Sequence, residues 1–435
     1  MRIDAAPDGG GAFFEPATFD GATFDCGRRQ LLPLRLPPGS GNVAGHPAAR
    51  AFAPGASTPE DSIAMKVTVE RSTLLKSLGH VHRVVERRNT IPILSNLLLS
   101  GTDSGLKLKA TDLDIEVVET VAADVAEPGA TTVPAHTLYD IVRKLPDGAQ
   151  VSLETTGETG LVLRSGRSRF QLQTLPESDF PDITAGEMAH SFKLPAGEFK
   201  RLIDKTQFAI STEETRYYLN GIYLHTIDVE GRPVLRAVAT DGHRLARVDT
   251  AAPVGSVGMP GVIVPRKAVS EIQKLLEDGE SEVTIELSAT KIRVATADVV
   301  LTSKLIDGTF PDYQRVIPSG NDKRLTVDRG DFAASVDRVS TISSERGRAV
   351  KLSMADGRMT LSVTNPDSGS ATEEIEVDYD ASPLDIGFNA RYLMDIAAQL
   401  DGDTALLKLA DPGSPTVIQD REGASALYVL MPMRV

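Results

Sequence analysis

The chain has little of several features that define common protein classes. Its 435 residues include a single cysteine, Cys26, so neither an intrachain disulfide nor a cysteine-based metal site can form. This composition fits a reducing compartment. No apolar run approaches the roughly 20 residues that cross a bilayer, and the N-terminus lacks the basic and apolar regions of a secretory signal. We therefore expect a cytoplasmic protein without a membrane partner.

Positive charge is also scarce. The chain carries 46 basic and 60 acidic residues, which gives a formal net charge of −14. A general nucleic-acid coat obtains its affinity from many summed phosphate contacts, so this balance argues against one. Binding to DNA through a locally basic surface on an acidic body stays open.

Familiar catalytic motifs are missing. There is no Walker loop, dinucleotide fingerprint, His-Glu-x-x-His or cysteine cluster. Asp112 and Asp114 could bind a metal, but they alternate along a strand-like segment, where carboxylates usually face solvent. Asp241, His243 and Arg244 could do acid–base work, yet no nucleophile or oxyanion motif accompanies them, and Asp-Gly is an ordinary hairpin turn. We expect no cofactor, no metal and no catalysis.

The strongest positive feature is a long internal repeat. A segment that begins with Val-Pro, continues with a helix-like stretch and ends in Asp-Gly occurs at 133–148 and again at 264–279. A weaker copy occupies 388–402. A spacing of about 125–130 residues is far longer than a solenoid repeat, and each unit is large enough to have its own core. The expected domains are 65–187, 188–318 and 319–435.

The first 64 residues differ from the rest. They are rich in Ala, Gly and Pro and lack hydrophobic periodicity. Such a segment buries too little apolar surface to offset its ordering entropy. We interpret 1–64 as a disordered extension or as the result of a start codon assigned too early, with the first domain beginning at Met65.

Each repeat has the same predicted element order. It opens with a short strand and an amphipathic helix, continues with alternating strands and a second helix, and closes with more strands. In the first repeat Ser72 is the expected N-cap, and Leu74, Leu78 and Val81 follow helical spacing. The final strands 170–175, 300–305 and 427–431 occupy matching places. This order predicts an α+β fold of three similar domains, each with two helices packed on antiparallel sheets.

The helices also carry positive charge on the stripe opposite their leucines. On the first helix, Lys76, His80, Arg83 and Arg87 fall within a narrow arc at 100° per residue. Corresponding basic residues in the other repeats are Arg201, Lys205, Lys267, Lys274, Arg329, Arg338 and Arg391. A charge stripe is usually a solvated face. If these helices share one concave surface, that surface would match a polyanion.

Five motifs together make the chain recognisable: RYYLNG at 216–221, ATDGHRLA at 239–246, VPRK at 264–267, FPDY at 310–313 and YVLMPMR at 428–434. Over about residues 65 to 435 the chain resembles the bacterial sliding clamp family, the beta subunits of DNA polymerase III. The resemblance implies a head-to-tail homodimeric ring of six domains that encircles double-stranded DNA without reading its sequence. The implied partners are a clamp loader, the polymerase III alpha subunit and other proteins with a clamp-binding motif.

The resemblance implies three sets of site residues. The DNA-contacting set is Arg88, Tyr217, Tyr218, Arg266 and Lys267. The family has a neutral amide where this chain has Glu213, so we expect a weaker DNA contact at that position. The partner-peptide groove is Leu219, Thr240, Gly242, His243, Arg244, Leu245, Pro311, Arg315, Val316, Asn389, Tyr392, Val429, Met431, Pro432, Met433 and Arg434.

The chemistry of the groove set can be interpreted in two ways. Met431 and Met433 flank a proline, and flexible methionines suit a surface that adapts to different guests. An apolar C-terminal strand would be unfavourable if it were left bare. Alternatively, the two methionines complete the core of the third domain.

The third set is the implied dimer interface. Phe170 and Leu172 match the edge of the first domain, and Thr341 and Ile342 match the facing helix of the third. The family has large apolar residues at the second pair, so the small, polar Thr341 implies a weaker or differently packed contact. Charges of opposite sign could meet across this junction; the residues are Arg167, Arg169, Glu373, Glu374 and Glu376.

Two other functions remain as alternatives. One is a hydrolase centred on Asp241, His243 and Arg244. The other is a repeat scaffold that binds proteins but never DNA.

Overall fold

The computed structural model describes residues 65–157, 159–183, 186–276, 281–343 and 349–435. The expected extension 1–64, with Cys26, lies outside the described residues. The described part confirms an α+β fold in which three similar repeats each place two helices on antiparallel sheets.

The first repeat starts at Met65 with a strand–helix unit and ends with three consecutive strands. Its elements are β1 Lys66–Glu70, α1 Arg71–Val81, β2 Asn96–Thr102, β3 Gly105–Thr111, β4 Ile115–Val121, β5 Asp124–Glu127, β6 Gly129–Pro134, α2 Ala135–Lys144, β7 Gln150–Thr155, β8 Gly160–Ser165 and β9 Ser168–Gln173.

The second and third repeats follow the same order, except that β5 has no counterpart among their described strands. The second consists of β10 His190–Pro195, α3 Ala196–Asp204, β11 Gly221–Val229, β12 Arg232–Thr240, β13 Arg244–Ala251, β14 Val262–Pro265, α4 Arg266–Leu275, β15 Glu282–Leu287, β16 Lys291–Ala295 and β17 Val299–Lys304. The third consists of β18 Lys323–Asp328, α5 Arg329–Ser340, β19 Ala349–Ala355, β20 Arg358–Asn365, β21 Gly369–Glu376, β22 Leu384–Asn389, α6 Ala390–Ala397, β23 Thr404–Leu409, β24 Thr416–Gln419 and β25 Ala426–Leu430.

The start and end of α1 correct the sequence prediction. Glu70, not Ser72, is the N-cap, because its carboxylate accepts a hydrogen bond from the Thr73 amide at 3.0 Å. The helix ends at Val81, so Arg83 and Arg87 follow it and do not continue the helical arc of Lys76 and His80. Val84 and Val85, in the turn that follows the helix, are both buried.

Sheets continue from one repeat into the next. The last strand of repeat 2, β17, pairs with β4 of repeat 1, and the last strand of repeat 3, β25, pairs with β13 of repeat 2. Both β4 and β13 are the third strand after the first helix of their repeat. Each junction between repeats is therefore a main-chain ladder as well as a side-chain contact. The equivalent strands at the two ends of the series are β9, the last strand of repeat 1, and β21, the third strand after the first helix of repeat 3. Each lies at the edge of its sheet.

Helices pair within each repeat and pack on the sheets. The contacting pairs are α1 with α2, α3 with α4 and α5 with α6, and α1 also contacts α4 across the first junction. Leu74 and Leu78 of α1 are fully buried, as are Phe332 and Val336 of α5 within 2%. Each such side chain contributes about 1.5–3 kcal/mol when it leaves water, so the apolar stripe of each helix fixes it to the sheet beneath.

Candidate functional site

A cavity of about 350 Å³ lies at the junction of repeats 2 and 3. Many of its lining residues belong to the groove set predicted from the sequence: Leu219, Thr240, Gly242, His243, Arg244, Leu245, Pro311, Val316, Val429 and Met431. Four further lining residues were not predicted for the groove: Arg216, Tyr218, Asp312 and Tyr313. Tyr313 could have been found, since it completes the FPDY motif.

The pairing of β13 with β25 builds the floor of this groove. Leu245 lies opposite Val429 in the ladder, and both side chains are buried, as is Leu219. At the rim, Met431 is 41% exposed and Val316 is 49% exposed. A buried apolar floor with exposed apolar walls is the arrangement expected of a binding site for an apolar guest.

Gly242 shapes one wall of the groove. Its φ of +89° lies in the region that favours glycine, and a Cβ added there would lie 2.6 Å from Nη1 of Arg216. Asp241 caps the same turn, because its Oδ1 accepts hydrogen bonds from the amides of His243 at 2.9 Å and Arg244 at 3.0 Å. The turn therefore requires both the glycine and the aspartate.

We predict that Gly242→Ala will weaken peptide binding and lower stability. Backbone strain at a positive φ costs about 1–3 kcal/mol, and the new methyl group must also displace Arg216 from the groove wall. Melting temperature and titration of a labelled peptide would measure the two effects.

Gly231→Ala is the matched control for this substitution. Gly231 also has a positive φ, +79°, but a Cβ there meets no atom within 4 Å. It should reproduce the loss of stability and leave peptide binding intact. If both variants weakened the peptide equally, the contact between Gly242 and Arg216 would have no part in the groove.

Arg244 joins the two repeats beneath the groove. Its guanidinium donates to Asp395 of α6 at 2.6 Å, to Asp241 at 3.1 Å and to the carbonyl oxygen of Phe208 at 2.7 Å. It also lies 4.3 Å from the ring centroid of Tyr392. Asp241 and Arg244 thus have structural partners, and their geometry does not resemble an acid–base pair poised for a substrate.

The remaining predicted groove residues lie around the cavity without lining it. Tyr392 stacks near His243 at 6.3 Å between ring centroids, and Asn389 caps α6 by accepting from the Tyr392 amide at 3.3 Å. The Met433 amide donates to the carbonyl oxygen of Gly387 at 2.8 Å, which ties the chain end to β22. The others are Arg315, which pairs with Asp312 at 2.8 Å, half-buried Pro432 and exposed Arg434.

The residues of the predicted DNA-contacting set have different surroundings. Arg88 is exposed in the segment after α1, and Tyr217 is 53% exposed with its ring centroid 5.8 Å from that of Tyr218. Arg266 is the first residue of α4. These residues present cations and aromatic edges that could position a phosphate backbone.

Lys267 has partners within the chain. Its ammonium group donates to Glu86 and to Asp112, each at 2.5 Å, and both acids belong to repeat 1. Burial lowers the pKa of Lys267, but the hydrogen bonds to Asp112 and Glu86 outweigh it and raise the pKa above its ordinary value. Lys267 therefore ties repeat 2 to repeat 1, and Asp112 is an ion-pair partner.

Glu213 also has a partner that the sequence did not reveal. Its carboxylate accepts two hydrogen bonds from Arg216, at 2.8 and 2.7 Å. The hydrogen bonds from Arg216 lower the pKa of Glu213. Because Arg216 lines the groove, the negative charge at this predicted DNA-contact position is directed to the groove wall.

Several residues of the predicted basic stripes have partners within the chain. Lys205 reaches Asp401 and the carbonyl oxygen of Gln399, and Arg201 reaches Ser425, so both connect repeat 2 to repeat 3. Within their own repeats, Lys274 pairs with Glu271, Arg329 with the Leu400 carbonyl, and Arg338 with Glu373. Charge counted along a helix therefore overstates the charge available to an external polyanion.

The predicted dimer residues lie on the edge strands β9 and β21 or next to them. Leu172 of β9 is buried, Phe170 is half-buried against the core, and Arg167 and Arg169 are exposed near the same edge. Thr341 is exposed at the C-cap of α5, and Ile342 is half-buried.

The acids of β21 already have partners or solvent around them. Glu373 accepts from Ser335 at 2.8 Å and from Nε of Arg338 at 3.0 Å, and the bonds from Arg338 lower the pKa of Glu373. Glu374 pairs with Arg358 at 3.0 Å, whereas Glu376 is exposed. An ion pair with a second chain would have to compete with these contacts.

Neither a metal site nor a membrane span is found in the part of the chain that the structure describes. No group of three or more His, Cys, Asp or Glu residues there could hold a metal ion. Among the described helices, none combines the length and the apolar character that crossing a membrane requires.

Comparison with known proteins identifies relatives along the whole described part. Models of the N-terminal, central and C-terminal domains of the DNA polymerase III beta subunit match residues 65–184, 193–312 and 314–434. The beta sliding clamp of Caulobacter vibrioides is 55% identical over 372 residues, which cover 85% of this chain and 100% of the relative. That of Escherichia coli K12 is 42% identical over 373 residues, with the same coverage.

Solved structures give the same result. The sliding clamp of Bartonella birtlesii bound to griselimycin is 57% identical, covers 86% of this chain and 100% of that one, and has a TM-score of 0.83. The Pseudomonas aeruginosa clamp bound to griselimycin is 39% identical, covers 86% and 100%, and has a TM-score of 0.82.

Proposed function

The chain belongs to the DNA polymerase III beta subunit family, and on this basis we propose that it is a sliding clamp that encircles duplex DNA as a homodimeric ring. The ring slides along DNA and tethers the polymerase III alpha subunit and other proteins with a clamp-binding motif. A clamp loader places it on DNA. It works in the cytoplasm with the bacterial chromosome and performs no chemistry itself.

The pattern of junctions carries this proposal. Two junctions within the chain pair the last strand of one repeat with the third strand after the first helix of the preceding repeat. The strands left over, β9 and β21, are the same two types and belong to the first and last repeats. Pairing β9 of each chain with β21 of the other repeats the internal junction, and a heterologous contact of this kind closes a ring when the rotation fits.

The groove supports the tethering function. Its floor is apolar, and Met431 supplies a flexible, polarisable wall that can adapt to different peptide side chains. The groove lies beside the C-terminal strand of repeat 3. Peptides from several partners could therefore compete for one site on each subunit.

The DNA-facing residues support contacts to phosphate without base readout. Arg88, Arg266 and Tyr217 of the predicted set are all exposed, so their side chains are accessible to a phosphate backbone. Lys267 contributes less than its charge suggests, since Glu86 and Asp112 hold its ammonium group. Weak lining contacts suit a ring that must slide, because strong phosphate contacts would slow it.

Hydrolysis at Asp241, His243 and Arg244 is less well supported. Asp241 caps a turn and pairs with Arg244, and Arg244 spans the junction to Asp395. These contacts give Asp241 and Arg244 a role in building the groove, which the family assignment also favours.

The mass in solution and the shape of the particle test the proposal. A dimer with a central hole wide enough for duplex DNA is expected by light scattering and electron microscopy. A compact particle without a hole, or a stable monomer at cellular concentration, would contradict the ring.

Thr341→Leu should strengthen the dimer. Thr341 is exposed at the end of α5, and its hydroxyl donates to the Asp337 carbonyl of the same helix at 3.3 Å. Burying the larger apolar side chain against a partner should add about 1 kcal/mol, or roughly fivefold in the dimer dissociation constant.

Exposed Thr90 offers the matched control, Thr90→Leu, in the segment between α1 and β2. Analytical ultracentrifugation would measure both variants. A dimer unaffected by Thr341→Leu would place the interface elsewhere.

A further inference from the structure

Tyr313 belongs to two environments at once. Its side chain lines the groove and is only 5% exposed, within the short turn Tyr313–Val316 that follows the FPD sequence. Its hydroxyl lies on the other side of the ring, among polar side chains of repeat 2. Polar contacts outside the groove therefore fix the orientation of the Tyr313 ring.

A polar row across three strands holds that hydroxyl. Nη1 of Arg236 on β12 donates to the Tyr313 hydroxyl at 3.1 Å, and Nε2 of His225 on β11 lies 3.1 Å from the same oxygen. His225 is opposite Arg236 in the β11–β12 ladder, and Arg236 is opposite Asp249 in the β12–β13 ladder. The register of the sheet thus places the three side chains side by side.

Asp249 fixes Arg236 in turn. Its two carboxylate oxygens accept from Nε and Nη2 of Arg236 at 2.6 and 2.7 Å, and the side chains of Arg236 and Asp249 are 6% and 15% exposed. Such a two-pronged pair defines direction as well as charge. One guanidinium nitrogen, Nη1, is left pointing at Tyr313.

His225 completes the hydrogen bonds of the hydroxyl. Burial lowers the pKa of His225, and the neighbouring Arg236 lowers it further, which favours the neutral imidazole. A neutral ring can accept from the Tyr313 hydroxyl through Nε2 while the hydroxyl oxygen accepts from Arg236. Every polar atom of the contact is then satisfied, which buried polar networks require to hold one geometry.

We propose that the buried row His225–Arg236–Asp249 positions Tyr313 as a wall of the groove and thereby sets its affinity for partner peptides. This inference rests on the proposed function of the groove and deepens it. With both anchors in place the ring presents its face to a bound peptide. Without them the packed ring loses the two hydrogen bonds that fix its orientation, and a peptide must restore that orientation on binding at a cost in affinity.

Tyr313→Phe is the direct test, because it removes only the hydroxyl and keeps the ring. Tyr223→Phe is the matched control: Tyr223 does not line the groove, and the substitution keeps the ring that stacks on Phe310 and on His225. The probe is a fluorescein-labelled peptide carrying the clamp-binding motif of the polymerase III alpha subunit. Tyr313→Phe removes both hydrogen bonds at the hydroxyl; we expect it to raise the dissociation constant about fivefold, the cost of ordering one side chain on binding, and Tyr223→Phe to leave it within about twofold.

A double-mutant cycle separates positioning from general stability. Arg236→Lys keeps a positive charge but cannot serve Asp249 and Tyr313 with the same geometry. In the Tyr313→Phe background it should change peptide affinity little, because the contact it supports is already gone. Independent effects of the two substitutions, or equal effects of Tyr313→Phe and Tyr223→Phe, would overturn the inference.

The outcome also distinguishes this inference from the proposed function. If Met431→Ala weakens the peptide and Tyr313→Phe does not, the groove stands and the positioning row is wrong. If neither substitution matters, the groove assignment itself fails. Should Arg236→Lys not fold, the comparison of Tyr313→Phe with Tyr223→Phe still decides the matter.

Discussion

On nicked circular DNA the loaded protein should remain bound through gel filtration, whereas one cut that linearises the same DNA should release it quickly. A closed ring is retained by topology, so its loss requires a DNA end or an opened junction. Fluorescently labelled protein, loaded by its clamp loader and separated from free protein at raised salt, gives the measurement directly.

A higher salt concentration should enlarge the difference in retention between circular and linear DNA. A protein held by 6–10 phosphate contacts alone loses about 10³–10⁵ in affinity between 50 and 200 mM salt. The ring on circular DNA should be indifferent to that change, and the ring on linear DNA should leave faster still. Equal retention on circular and linear DNA would reject the topological mechanism.

Neutral variants at Arg88 and Arg266 provide the control. They should reduce loading or the salt-sensitive part of DNA contact, while rings already closed on circular DNA stay bound. Their behaviour also separates a clamp from a protein scaffold, since a scaffold that never binds DNA would not respond to either substitution. Lys267 is a poor choice here because removing it also breaks its ion pairs with Glu86 and Asp112.

Combined truncation of Met431 and Val316 to alanine should weaken peptide binding by about 2–3 kcal/mol, roughly 30- to 150-fold. Both residues line the groove and are partly exposed, so a guest can cover them and remove their apolar surface from water. Because they are not part of the buried floor, their truncation should leave folding nearly unchanged. Titration of the labelled peptide by fluorescence anisotropy measures the loss.

Val257→Ala is the matched control for that pair. Val257 is 63% exposed and lies outside the groove, so its truncation repeats the Val→Ala change made at position 316 without touching the site. Peptide affinity should stay at the unsubstituted value, and all these variants should remain dimers. An unchanged dissociation constant in the double variant would remove the peptide groove from this junction.

The architecture could be predicted because it repeats. The Val-Pro helix segment recurs at a fixed spacing, and amphipathic stripes such as Leu74 and Leu78 require a sheet to cover them. The strand pattern also predicted β25, and Val429 of this strand lines the groove. Local chemistry was enough for these features, since hydrophobic periodicity and turn residues act over short stretches of chain.

Features that depend on distant residues were missed. Lys205 and Lys267 looked like members of a basic stripe, but acids from neighbouring repeats hold them. The end of α1 was placed too late because a buried turn follows it. Tyr313 was quoted as part of a motif, yet its role depends on Arg236, which lies 77 residues away in the chain.

The amino-acid order alone specified three α+β repeats with an apolar C-terminal strand, because periodicity and composition encode which face of each element is buried. Folding in three dimensions decided which charges remain available and which residues form the groove. An ion pair or a groove wall joins side chains that are far apart along the chain, and only the register of the shared sheets brings them within bonding distance.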